Sequence, residues 1–182
     1  MYKKQLFVFI VLFFSGSAWA ELPGVLRWDV EQDSNRVYRE VYRALEDHQF
    51  YVIFEANIGR NLRGYAARWG DNYNRNGLDD IRSMVFCNIA YTNQLSNQDP
   101  GMLSLCPLHI TVIQKGRTTS ILFNRPTYIG QGSAAMPLLK EIETGVSAAV
   151  ESGINAASGR LVFPPEGKGR DIGDQHEPDQ HQ

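Results

Sequence analysis

The chain has 182 residues, 43% of them hydrophobic, and carries 18 Lys+Arg against 20 Asp+Glu for a net charge of −2. That length is enough for one domain with a real core. A slightly acidic balance without clustered Lys/Arg excludes a nucleic-acid or anionic-membrane binder, because neutralising phosphates requires such clusters.

The first twenty residues read as an export signal. Lys3 and Lys4 form its positive start, residues 6–14 its apolar stretch, and Ala18-Trp19-Ala20 a small-x-small cleavage site. The apolar run is about half of what spans a bilayer. Cleavage after Ala20 is expected to deliver a periplasmic chain beginning at Glu21, with no membrane insertion. It removes two lysines and no acid, so the net charge moves from −2 to −4. Residues 21–158 are expected to form a single domain and residues 159–182 a flexible polar tail.

Residues 25–30 alternate, with Leu26, Trp28 and Val30 on one side and Val25, Arg27 and Asp29 on the other. They predict a strand with one buried face. Ser34 suits the N-cap of a helix over 35–48, where Val37, Val41 and Leu45 recur every four residues beside Tyr38 and Tyr42. The β-branched and aromatic residues 50–54 predict a second strand. Residues 57–82 carry a weaker pattern, in which Leu62, Tyr65, Ala66 and Trp69 line a short helix. Asn72, Asn74, Asn76 and Gly77 imitate the start of a calcium loop, yet its twelfth position is Ser83. Neutral amides without a carboxylate clamp make a poor site, and a turn is the simpler reading.

Residues 83–87 predict a short apolar inner strand, 89–97 a helix, and Asp99-Pro100-Gly101 a turn. Residues 108–113 and 118–123 alternate as the two arms of a hairpin. Ser133 caps a last helix over 134–154, buried along Leu138, Ile142, Val146, Ala149, Val150 and Ile154, with Pro137 tolerated in its first turn. Beyond Gly159 the composition turns to Gly, Pro and charge; His176 and His181 are expected to be solvated there and residues 165–182 disordered. The order of elements defines an α+β domain: a mostly antiparallel sheet with two main helices on one face.

No G-x-S-x-G elbow, P-loop or G-x-G-x-x-G turn is present, so no catalytic residue and no cofactor are predicted. Glu141 and Glu143 read as solvated acids of the last helix. Asn88, Tyr91, Thr92 and Asn93 follow the inner strand directly, where chain ends often line clefts. They form either a capped helix start or a pocket. In the pocket reading Asn88, Tyr91, Asn93 and His109 are the ligand-binding candidates.

The stretches VFCN at 85–88, DPGML at 99–103, LCPLHITV at 105–112 and RPT at 125–127 resemble the domain of unknown function 302 family, particularly its exported proteobacterial members. The likeness covers roughly residues 25–155. Two departures stand out: Gln49-Phe50 where the family usually has Gly-Phe, and Cys87-Asn88-Ile89 where many members read Cys-Asn-Pro. The resemblance implies a β-α-β-sheet-α arrangement similar to the TATA-binding-protein-like fold, and leaves a homodimer open. It implies no activity.

Cys87 closes one predicted strand and Cys106 precedes another. If the strands are neighbours, the two cysteines fall within disulfide reach, closing a loop worth roughly 3 kcal/mol in the chain-entropy model. A disulfide, free thiols for redox or metal work, and two unpaired buried residues all stay open. Two functional expectations follow. The first is a non-enzymatic module stapled by the disulfide, binding a small molecule or a periplasmic protein. The alternative is a thiol-redox or soft-metal protein using Cys87, Cys106 and His109, with copper as an example metal. A hydrolase comes third.

Overall fold

The computed structural model describes residues 22–159. The expected signal peptide, and the tail from 160 onward with His176 and His181, lie outside the described residues. Five strands form one antiparallel sheet: β1 Val25–Val30, β2 Tyr51–Ala56, β3 Asp80–Cys87, β4 Leu108–Lys115 and β5 Thr118–Asn124, in the order β1-β5-β4-β3-β2. Among the described residues six α-helices accompany it: α1 Ser34–Asp47, α2 Ile58–Arg63, α3 Ala66–Trp69, α4 Ile89–Gln98, α5 Pro126–Ile129 and α6 Met136–Ala157. The expected α+β class and the helix pair α1/α6 are both present. No helix among the described residues is long and apolar enough to cross a membrane.

Strand alternation explains how the sheet chooses its faces. Ile110 and Val112 of β4, Ile121 and Phe123 of β5, and Met84 and Phe86 of β3 are buried in the core under α1 and α6. Val37, Val41 and Leu45 answer from α1, and Leu139, Ile142, Val146 and Val150 from α6. Each such side chain contributes about 1.5–3 kcal/mol on burial. The intervening residues His109, Thr111 and Ile113 of β4 turn to the far face.

The end of α1 forms a Schellman turn. Phe50 N–H donates to Leu45 C=O at 2.8 Å and Gln49 N–H to Glu46 C=O at 2.9 Å. Gln49 therefore holds φ 66°, the left-handed conformation that a glycine adopts without strain. A glycine, which the resemblance leads one to expect at this place, would hold it without strain. Phe50, expected to begin the second strand, is instead the buried hydrophobic member of that turn. Strand β2 follows it at the sheet edge, with Tyr51, Ile53 and Phe54 more than half exposed.

Other boundaries moved for identifiable reasons. Asp33, not Ser34, caps α1, accepting from the Asn35 and Arg36 amides at 2.9 and 3.3 Å. The Ser34 hydroxyl instead donates from the start of α1 to Asp80 of β3 at 2.8 Å. Ser133 accepts from the Ala135 amide at 3.0 Å, one turn ahead of α6, whose own N-cap Ala135 has no side-chain cap. Asn74 closes the Asn-rich loop, donating to the Leu78 carbonyl at 2.8 Å and accepting from the Leu78 amide at 2.9 Å. Its amide is engaged by the turn.

Candidate functional site

Three of the four family-like stretches, those at 85–88, 105–112 and 125–127, meet in one place. Phe86, Cys87 and Asn88 at the end of β3 meet Leu105, Cys106 and Leu108 before and in β4, and Pro126 of α5. Phe50, with Tyr91, Thr92 and Leu95 of α4 and Leu139 and Ile142 of α6, completes the lining. The cavity they enclose is about 10 Å³, no more than a single water molecule needs.

Thr92 organises its polar side. Its hydroxyl donates to the Asn88 carbonyl at 3.0 Å, contacts Cys87 Sγ at 3.2 Å and lies 3.7 Å from Cys106 Sγ. A hydroxyl has one proton, and the Asn88 carbonyl and the Cys106 sulfur both compete for it, so the 3.2 Å contact has the Cys87 thiol as donor. Burial pushes the Cys106 thiol above its ordinary range, opposed by the Thr92 hydrogen bond and reinforced by Cys87.

The expected disulfide is not formed. Cys87 and Cys106 are free thiols, drawn together but each engaged by the same hydroxyl. The expected cleft also disperses. Asn88 is the N-cap of α4, accepting from the Tyr91 amide at 3.0 Å and donating to the Gln49 carbonyl at 3.1 Å. Tyr91 stacks on Phe50 with ring centroids 6.0 Å apart. Asn93 is exposed and does not line the cavity. His109 lies on the far face of the sheet, because strand alternation turns it away from Leu108 and Ile110. The trio Cys87, Cys106 and His109 is thus not assembled, and among the described residues no group of three His, Cys, Asp or Glu side chains is placed to hold a metal.

Glu143 corrects a further expectation: it is buried rather than solvated. Its carboxylate accepts from the Thr127 amide at 3.1 Å, the Thr127 hydroxyl, and Arg125 Nε at 3.0 Å. Burial alone would raise its pKa, but the Thr127 and Arg125 hydrogen bonds with the Arg125 charge outweigh it and hold the group below the usual carboxylate range. The RPT stretch is therefore a clamp on α6. Asp99 plays a similar part, accepting from the Gly101 amide at 3.0 Å and the Ser133 hydroxyl at 2.6 Å.

A second polar cluster has no signal in the sequence. Arg82 stacks 4.3 Å over the Tyr38 ring and pairs with Asp80 at 2.8 Å. Burial, then the hydrogen bond and charge of Glu55, push the Tyr38 phenol well up. Only its pairing across the fold would have exposed it.

The far face of the sheet carries a depression of about 880 Å³. Arg27 Nε pairs with Asp29 at 2.9 Å, Arg27 also donates to Ser120 Oγ at 3.1 Å, and Ser120 donates to Asp29. His109, Thr111 and Lys115 border the same hollow, over apolar ground from Val25, Ile113 and Leu122. Polar groups set over an apolar floor are what orient a small ligand. Its polar members alternate with apolar ones on several strands, so no local motif announces it.

Residues 26–157 match the model of the family described as Domain of unknown function DUF302, and the chain belongs to that family. The fold is similar to that of a solved structure, an uncharacterized conserved DUF302 protein from Bacillus stearothermophilus, with a TM-score of 0.60. The two are 18% identical over 72% of this chain and 98% of that chain. At this identity the likeness shows the fold alone. No curated protein matches the sequence.

Proposed function

We propose that this chain is an exported, proteobacterial-type member of its family, cleaved after Ala20, that acts in the periplasm as a non-enzymatic binding or accessory module. Its ligand, a small molecule or a periplasmic protein, sits on the far face of the sheet. The observation that carries this reading is the contrast in room: about 880 Å³ around Arg27, Asp29, Ser120, His109 and Lys115, against about 10 Å³ beside the thiols. Nucleic acid is not among the proposed partners, since the chain is net acidic. A second copy of the chain is the competing occupant.

Native mass spectrometry and calorimetry of the exported protein against fractionated periplasmic extract test the reading. A saturable small-molecule or protein complex is expected, and Thr111→Trp, which fills the hollow, abolishes it. Binding untouched by that substitution, or a dimer alone by sedimentation, overturns the proposal.

A second reading, thiol–disulfide chemistry at Cys87 and Cys106, is favoured by one observation: both sulfurs reach the Thr92 hydroxyl. Here the expected bridge is one state of a reducible pair and not a permanent staple. A soft-metal version has two sulfur ligands at most, His109 being turned to the other face.

A further inference from the structure

We propose that Cys87 and Cys106 form one two-electron redox site, with Thr92 as the positioning residue that favours its dithiol form. The inference rests on the thiol reading above and deepens it. Thr92 is held by its own helix: the hydroxyl donates to the Asn88 carbonyl one turn back, and Asn88 is pinned by the Tyr91 amide and the Gln49 carbonyl. The hydroxyl is thus presented to both sulfurs from a fixed place.

A dithiol uses that hydroxyl fully. With the hydroxyl proton directed at the Asn88 carbonyl and shared at longer range with the Cys106 sulfur, the Cys87 S–H donates to the hydroxyl oxygen. A disulfide has no S–H to donate, so the Cys87 contact is lost on oxidation. Thr92 therefore stabilises the reduced state relative to the oxidised one. The size expected is that of one net hydrogen bond, about a tenfold change in the oxidation equilibrium.

The oxidant is a low-molecular-weight disulfide. One cysteine of the pair, its proton released to solvent, attacks a sulfur of that disulfide and expels one small thiolate, leaving a mixed disulfide. The other cysteine, deprotonated in turn, attacks the protein sulfur of the mixed disulfide and expels the second. The intramolecular S–S bond forms and the co-reactant's bond breaks. Two electrons pass to the co-reactant, and its two thiolates take up the two protons.

The exported protein and its Thr92→Ala and Thr92→Ser variants are equilibrated in graded reduced and oxidised glutathione, quenched with acid, alkylated and weighed by mass spectrometry. One transition from dithiol to intramolecular disulfide is expected. Thr92→Ala shifts it about tenfold towards the disulfide, about 30 mV, and Thr92→Ser stays within about twofold of the parent. Thr92→Val, which keeps the volume without the hydroxyl, carries the same expectation if the alanine variant does not fold. Hydroxyl-free variants that titrate like the parent overturn the role of Thr92 and leave the thiol reading standing. No intramolecular disulfide at any ratio overturns both.

Discussion

Gly153 of α6 packs directly on the backbone of Val41 in α1: a Cβ placed on Gly153 would lie 2.6 Å from Val41 Cα and 2.8 Å from its N and Cγ2. The two helices cross at backbone contact, which lets both reach the same sheet face. Alanine at an exposed helical glycine gains about 1 kcal/mol in propensity. Here Gly153→Ala is expected to lose about 2 kcal/mol instead, because Val41's backbone cannot yield as a flexible side chain would. Chemical denaturation measures it. An unchanged or raised midpoint contradicts the close crossing.

Gln49 offers the opposite sign. It occupies the left-handed position of the Schellman turn with φ 66°, where a side chain costs about 1 kcal/mol. Gln49→Gly relieves that strain and loses some through a freer unfolded chain. A net stabilisation of about 0.5 kcal/mol is expected, read as a raised denaturant midpoint with an unaltered slope. A lowered midpoint would mean that the side chain contributes more than the strain costs.

Glu143 makes the protein acid-sensitive in a defined window. Its folded pKa lies below the unfolded value, so its stabilisation is fully present above the ordinary glutamate pKa of about 4.3 and drains away as pH falls through the lowered folded value. Glu143→Gln is expected to cost about 2 kcal/mol at neutral pH and to flatten the decline of stability below about pH 4.3. Melting curves from pH 3 to 7 (about the range of carboxylate titration) decide it; parallel curves for the two proteins rule the clamp out as the source.

Cys106 should be a slow thiol. Burial raises its pKa, and the thiolate is the species that alkylates. In Cys87→Ser protein, iodoacetamide is expected to modify Cys106 several-fold more slowly than free cysteine near neutral pH, with the rate climbing into the alkaline range. Modification as fast as free cysteine would show that the pocket opens readily.

The sheet and its two long helices were legible because they rest on local alternation and four-residue spacing. Ile110, Val112, Ile121 and Phe123 announce their buried side by period alone. Strand β3 starts at Asp80, three residues before the apolar run at 83–87 that announces it. Asp80 and Arg82 look like loop residues until Ser34 and Tyr38 arrive from α1 to receive them. Glu143 looks solvated in the sequence for the same reason, since its partners Arg125 and Thr127 come from another segment. Asn88 caps α4, the first role of an Asn that stands before a helix, and this use of its side chain competes with a ligand role.

Periodicity and end signals in the chain itself determined the α+β class, the helix pair and the alternation of β4 and β5. Folding decided what stands opposite what: the two thiols under one hydroxyl, His109 on the other side of the sheet from them, and the hollow built from β1, β4 and β5. The division has a physical cause. Backbone periodicity reports only which side of its own element a residue faces, whereas hydrogen-bond partners and cavities arise where segments distant along the chain meet.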